Sequence, residues 1–165
     1  LMKILDNIQI TQKVDRLAYQ IIENNYDSKG LVFLGINKNG LRFAKMLKKT
    51  FDTISESETI IGSVKINAAN PIESKIEMDI DLKSLNKKVV IVVDDVANTG
   101  RTIFYGTKPI MEFLPKKIQA AVLVDRKHKK FPILVDYVGL SLATTLKENI
   151  KVDLSKKSAM AVFLE

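Results

Sequence analysis

Apolar positions recur with two different periods along this chain, and the changes of period mark out its elements. Val14, Leu17, Ala18, Ile21 and Ile22 fall at i, i+3, i+4, i+7 and i+8, the spacing of one buried helix face. Thr11 stands where a helix cap belongs, and turn chemistry over residues 24–30 ends the helix. Residues 31–36 form an apolar run too short for a helix and read as a buried strand. Gly40 then opens a second helix, with Leu41, Ala44 and Leu47 on one face and lysines on the other. Residues 59–66 read as a strand. The stretch 67–74, polar and holding Pro71, reads as a loop. Five β-branched residues at 89–93 suit the centre of a parallel sheet. A helix is expected over 101–114, broken at Pro109, because a proline inside a regular helix costs about 3 kcal/mol. Residues 120–124 and 133–138 read as further strands, and 159–164 as an edge strand. Strands alternating with helices indicate an α/β fold with a mostly parallel central sheet flanked by helices. Residues 1–165 are expected to form a single domain, with no internal repeat or linker.

Composition narrows the chemistry. The chain is 46% hydrophobic and 27% charged, which excludes a disordered or low-complexity protein. It contains no cysteine, and His128 is its single histidine. Thiol catalysis and thiolate metal sites are therefore excluded, and any metal is expected to be a hard cation held by carboxylates. The apolar runs fall far short of the ~18 residues of a membrane span, and no export signal is recognisable. A cytoplasmic protein with no membrane partner is expected. The net charge is +7, unevenly placed. Lys38, Arg42, Lys45, Lys48 and Lys49 lie together without an acid. A second basic stretch runs from Lys108 to Lys130, while seven acids sit between the two within residues 52–81. Solvated helix faces explain part of this pattern. The rest suits a polyanionic ligand, either a phosphorylated metabolite or nucleic acid.

The chemically informative segment is VVIVVDDVANTGRT, residues 89–102. A buried strand ends in Asp94 and Asp95, and a turn of Ala97, Asn98, Thr99, Gly100, Arg101 and Thr102 leads into a helix. Ligands of open α/β sheets bind beyond the carboxyl ends of the strands. Gly100 lets backbone approach a ligand, amides at a helix start face an anion, and Thr99 and Thr102 add hydroxyls. The two carboxylates suit sugar hydroxyls or a magnesium ion, so one loop can bind a sugar phosphate from both sides. A Walker B strand would need a G-x-x-x-x-G-K-[ST] loop, which the chain lacks. A receiver-domain acidic pair would lie near the start of its module, and Asp94 lies past the middle of this chain. A capped strand end with no ligand is the structural alternative.

At these residues the sequence resembles the type I phosphoribosyltransferases, whose signature for phosphoribosyl pyrophosphate (PRPP) is an apolar run, two acids and a T-G-x-T turn. AVLVDRKHKKFPILVDYVG, residues 121–139, is similar to a stretch of the bifunctional pyrimidine-operon attenuator/uracil phosphoribosyltransferases. The resemblance implies that family's fold, a mostly parallel sheet with a small hood. It also implies transfer of phosphoribose from PRPP to a nucleobase, uracil first among candidates, with Mg2+ as cofactor. Carried over, Asp94 and Asp95 hold the ribose hydroxyls and the metal, directly or through water, and the 97–102 turn takes the 5′-phosphate. Gly35, Ile36, Asn37, Lys38, Asn39 and Gly40 take the pyrophosphate. Val124, Asp125 and Arg126 lie beside the base, and Lys75 is the one cation of a catalytic loop over residues 67–77. That loop, with no apolar pattern to anchor it, is expected to order only over ligand. Asn39 stands where the family's pyrophosphate loop carries arginine. The alternatives are an RNA-binding regulator that senses nucleotide, or a PRPP-binding protein without turnover. Asp15 on the first helix opposes RNA phosphate. A homodimer is compatible with the resemblance. His128 reads as a loop residue, since a lone imidazole makes a poor metal site.

Overall fold

The computed structural model describes all 165 residues. Its main sheet has six strands: β2 (Gly30–Ile36), β3 (Glu58–Lys65), β4 (Glu77–Asp79), β5 (Val89–Ala97), β6 (Lys117–Asp125) and β7 (Tyr137–Ser141). Their spatial order is β4-β3-β2-β5-β6-β7. All neighbours are parallel except β3 and β4. A second, antiparallel sheet of β1 (Met2–Leu5), β9 (Ala161–Leu164) and β8 (Ile150–Asp153) takes the place of the small hood. The expected mostly parallel α/β fold is therefore present.

Helices α1 (Asn7–Asn24) and α2 (Asn37–Ile54) cover one face of the main sheet. Ile10, Leu17 and Ile21 of α1 and Phe43, Leu47 and Phe51 of α2 pack against Phe33, Ile91 and Val93. Val152, Met160 and Val162 join that core and bind the small sheet to it. On the other face, α3 (Arg101–Gly106) and a short 3-10 turn (Lys108–Glu112) contribute Ile103 and Ile110 to a second cluster with Val90 and Val92. The break at Pro109 is thus realised as a change from α to 3-10 geometry. No helix is long and apolar enough to cross a membrane.

Several boundaries differ from expectation. α1 starts before Thr11 because Asp6 and Gln9 form a reciprocal capping box, with hydrogen bonds of 2.8 and 2.9 Å. Thr11 Oγ1 donates instead to the Asn7 carbonyl within the helix. α2 begins at Asn37 rather than Gly40. Asn37 takes a left-handed φ of 53°, and its amide group pairs with both backbone groups of Ile66, at 3.0 and 3.1 Å. The strand expected at 133–138 lies at Tyr137–Ser141. The strand expected at the edge is the centre of the small sheet, since β9 pairs with both β1 and β8.

Candidate active site

Parallel pairing delivers the carboxyl ends of β2, β5 and β6 to one edge of the sheet. Gly35 pairs with Val93, and β5 continues four residues beyond that pair, with Ala97 opposite Asp125. Asp94 and Asp95 therefore lie within β5, above the point where β2 turns into α2, rather than past the strand's end. Gly40 makes this approach possible, because a Cβ there would stand 2.7 Å from the Val93 carbonyl oxygen and 3.4 Å from Asp94 Oδ1. Gly35 is equally confined, its Cβ position lying 2.3 Å from Leu41 Cα.

The adjacent carboxylates have different surroundings. Asp94 is only 9% exposed, and its Oδ1 accepts from the Asp95 amide at 2.9 Å. Burial first, and then the Asp95 charge, pushes the Asp94 carboxyl well above the ordinary carboxylate range. Asp95 is half-buried. Its Oδ1 accepts from the Val96 amide, and its Oδ2 accepts from Asn39 Nδ2 at 2.9 Å. The same Asn39 nitrogen donates to the Val152 carbonyl at 3.0 Å, so one side chain joins α2, the acid pair and the small sheet.

A cavity of about 430 Å³ opens beside Asp94. Ala97, Asn98, Thr99, Gly100, Arg101 and Thr102 line it, together with Ala68, Val96, Ile103, Lys130 and Phe131. Gly100 adopts φ 84° at the start of α3, a conformation costly for other residues. The amides of Lys130 and Phe131 donate to the Thr99 carbonyl at 2.9 and 3.2 Å. Those two residues were missed as site residues. The basic run 126–130 was their only signal, and backbone pairing is what aims them at the turn. The Arg101 guanidinium is turned away to the carbonyls of Ala68 and Ala69, tying the turn to segment 67–77.

Not every candidate reaches this cavity. Lys75 lines a separate, open cavity of about 1040 Å³ with Tyr105 and Lys108. The segment carrying it is anchored by buried Pro71 and Ile76, contrary to the expectation that nothing apolar holds it. Residues 35–40 form the β2–α2 junction outside the cavity lining. Ile36 caps α2 without a side-chain bond, so no cap side chain satisfies the first-turn amides. Val124 is fully buried. Asp125 pairs with Lys129, and the Arg126 guanidinium is spent on four internal hydrogen bonds. Nowhere do three or more His, Asp or Glu side chains gather as a metal cage. A divalent cation here would take Asp94 and Asp95 from the protein and its other ligands from water and phosphate oxygens, an arrangement that suits magnesium.

The sequence model of the phosphoribosyl transferase domain family matches residues 2–155. The chain belongs to this family. Relatives named bifunctional protein PyrR share 34% identity in Clostridium novyi, over 97% of this chain and 96% of that one. In Clostridium acetobutylicum the figure is 37%, over 92% and 89%. Among solved structures, a hypoxanthine phosphoribosyltransferase of Trypanosoma cruzi superposes with TM-score 0.78 at 16% identity, covering 98% of this chain and 95% of that one. A hypoxanthine-guanine phosphoribosyltransferase of Bacillus anthracis gives 0.72 at 23%, covering 86% and 82%. Sequence family and fold agree, and the chain is a phosphoribosyltransferase.

Proposed function

We propose that the protein transfers the 5-phosphoribosyl group of PRPP to a ring nitrogen of uracil and releases pyrophosphate. The observation that carries this reading is the single cavity shared by Asp94 and the 97–102 turn, which suits a ribose bearing a 5′-phosphate. In the reaction the bond from the anomeric carbon to pyrophosphate breaks, a bond to the base nitrogen forms, and the nitrogen's proton passes to solvent. Asp94 and Asp95 accept hydrogen bonds from the ribose hydroxyls, and their negative charge stabilises the cationic sugar of the transition state. Residues 35–40 and the first-turn amides of α2 receive the pyrophosphate. Val124, Asp125 and Arg126 shape the end where the base enters. Asp94 and Asp95 would be the protein groups that hold a magnesium ion, which would supply charge neutralisation for the departing pyrophosphate.

In this reading residues 1–165 act as one cytoplasmic domain, and sedimentation decides between monomer and homodimer. Incubation with PRPP, magnesium and a panel of bases tests the reaction. Pyrophosphate release is expected with uracil above all other bases. Release with a purine alone would reassign the acceptor, and binding of PRPP without release would point to the second reading.

That second reading is an RNA-binding regulator that uses the site as a nucleotide sensor. One observation favours it: Lys38, Arg42, Lys45 and Lys49 are all exposed on α2, a cationic row suited to phosphates. Retention of a structured RNA that weakens steeply as salt is raised would support it.

A further inference from the structure

Arg126 is 8% exposed, yet no carboxylate lies within ion-pairing distance of it. A buried cation is costly unless its donors are used; here they bridge two separate parts of the molecule, and the Glu148 carboxylate lies near enough to feel the Arg126 charge. On one side Nη1 donates to Asn98 Oδ1 at 3.0 Å, a residue of the turn that lines the cavity. On the other, Nε donates to Thr144 Oγ1 at 2.8 Å, and Nη2 donates to the carbonyls of Thr145 and Glu148 at 3.0 and 2.6 Å. Charge-assisted bonds of this kind are roughly twice as strong as neutral ones.

Segment 143–148 has little else to hold it. Its flanks are anchored by the Leu142 amide on the Asp125 carbonyl and by reciprocal backbone bonds between Asn149 and Glu165, each 2.9 Å. Between these anchors the hydrogen bonds to the rest of the chain come from Arg126 and from the His128 ring at the Thr144 carbonyl, 3.0 Å away. Leu146, at the tip, is 85% exposed. The segment follows β7, whose last residue, Ser141, pairs with Asp125. It therefore rises from the same carboxyl edge of the sheet as the cavity.

Resting on the phosphoribosyltransferase reading above, we infer that Arg126 is a positioning residue that couples the phosphate turn to segment 143–148. An anion bound at the turn fixes Asn98, which accepts from the guanidinium behind it. Arg126 passes that order to the segment, which forms a wall at the base-entry end. Sugar-phosphate binding thereby prepares the place where the acceptor docks, and the coupling appears as a change in acceptor affinity.

The chain contains no tryptophan, so Leu146→Trp gives a single fluorescent reporter at the segment's tip. With ribose 5-phosphate at saturation, acrylamide quenching of this reporter is expected to fall about twofold or more. Adding Arg126→Lys, which keeps the charge but cannot span both sides, should abolish that fall while calorimetry still shows ribose 5-phosphate bound. In turnover, Arg126→Lys should raise the acceptor KM about fivefold or more and change PRPP affinity far less. Asn98→Ala, which cuts the exposed end of the link, should silence the reporter equally and serves if the Arg126 variant does not fold. An equal fall in quenching in all variants, measured at each one's saturation, would overturn the coupling and leave the transferase reading intact. Failure of the unsubstituted protein to bind ribose 5-phosphate or PRPP would overturn both.

Discussion

Burial and the neighbouring Asp95 charge hold the Asp94 carboxyl well above its ordinary value of 3.8. A raised value means that the folded state binds this proton more tightly than the unfolded chain does. The stabilisation is complete below the ordinary value and is lost as pH rises through the folded one. Urea unfolding should therefore show stability draining away over that range in the native protein. Asp94→Asn should remove this contribution and unfold at higher urea than the native protein at pH 7. Superimposable pH profiles would refute the assignment. At this scale the acid pair and the turn were legible because their chemistry is rare at a strand's end. Lys130 and Phe131 were not, since backbone bonds to Thr99 place them. Nor was the inward turn of Arg126, because a basic run looks the same whether its arginine faces ligand or fold.

Where β2 turns into α2, close approach rather than cation chemistry shapes the site. Gly40→Ala would drive a Cβ against the Val93 carbonyl, 2.7 Å away. The backbone cannot yield there as a flexible side chain would, so a stability loss of about 1–3 kcal/mol is expected. PRPP affinity should fall with it, read by thermal unfolding and calorimetry. An unperturbed Gly40→Ala protein would contradict the close approach of α2 to β5. Segment 67–77 makes a separate prediction. Lys75 lines a cavity apart from Asp94, so it serves the reaction only if the segment moves over bound PRPP. A cation that meets pyrophosphate as it departs acts in the transition state. Lys75→Ala should then lower kcat by about tenfold or more while PRPP affinity stays nearly constant, as steady-state kinetics would show. An unchanged kcat would exclude Lys75 from catalysis. Helix interiors were readable from their apolar spacing, but their starts were not. Asp6 and Asn37 begin α1 and α2 through contacts with Gln9 and Ile66, and the second of these crosses 29 residues.

Across the whole molecule, the parallel sheet and its two helical layers follow from long β-branched runs alternating with amphipathic stretches. Of the small sheet only the β9 strand was readable, because β1 and β8 are four residues each and the pairing joins the chain's two ends, β1 to β9. No local periodicity reports such a pairing. That sheet nevertheless reaches the site, through the Val152 carbonyl on Asn39 and from there to Asp95. The strand order places the acid pair, the turn and the α2 junction on one edge, and the proposed chemistry stands or falls with that edge. Calorimetric titration of PRPP with magnesium into the native protein and into the double variant Asp94→Asn, Asp95→Asn tests it most directly. The substitutions keep shape and remove two charged acceptors, each worth about 1.5–3 kcal/mol of hydrogen bonding. Affinity should fall about tenfold or more in a protein that remains folded. Equal affinity in the two proteins would contradict the placement of PRPP at the acid pair.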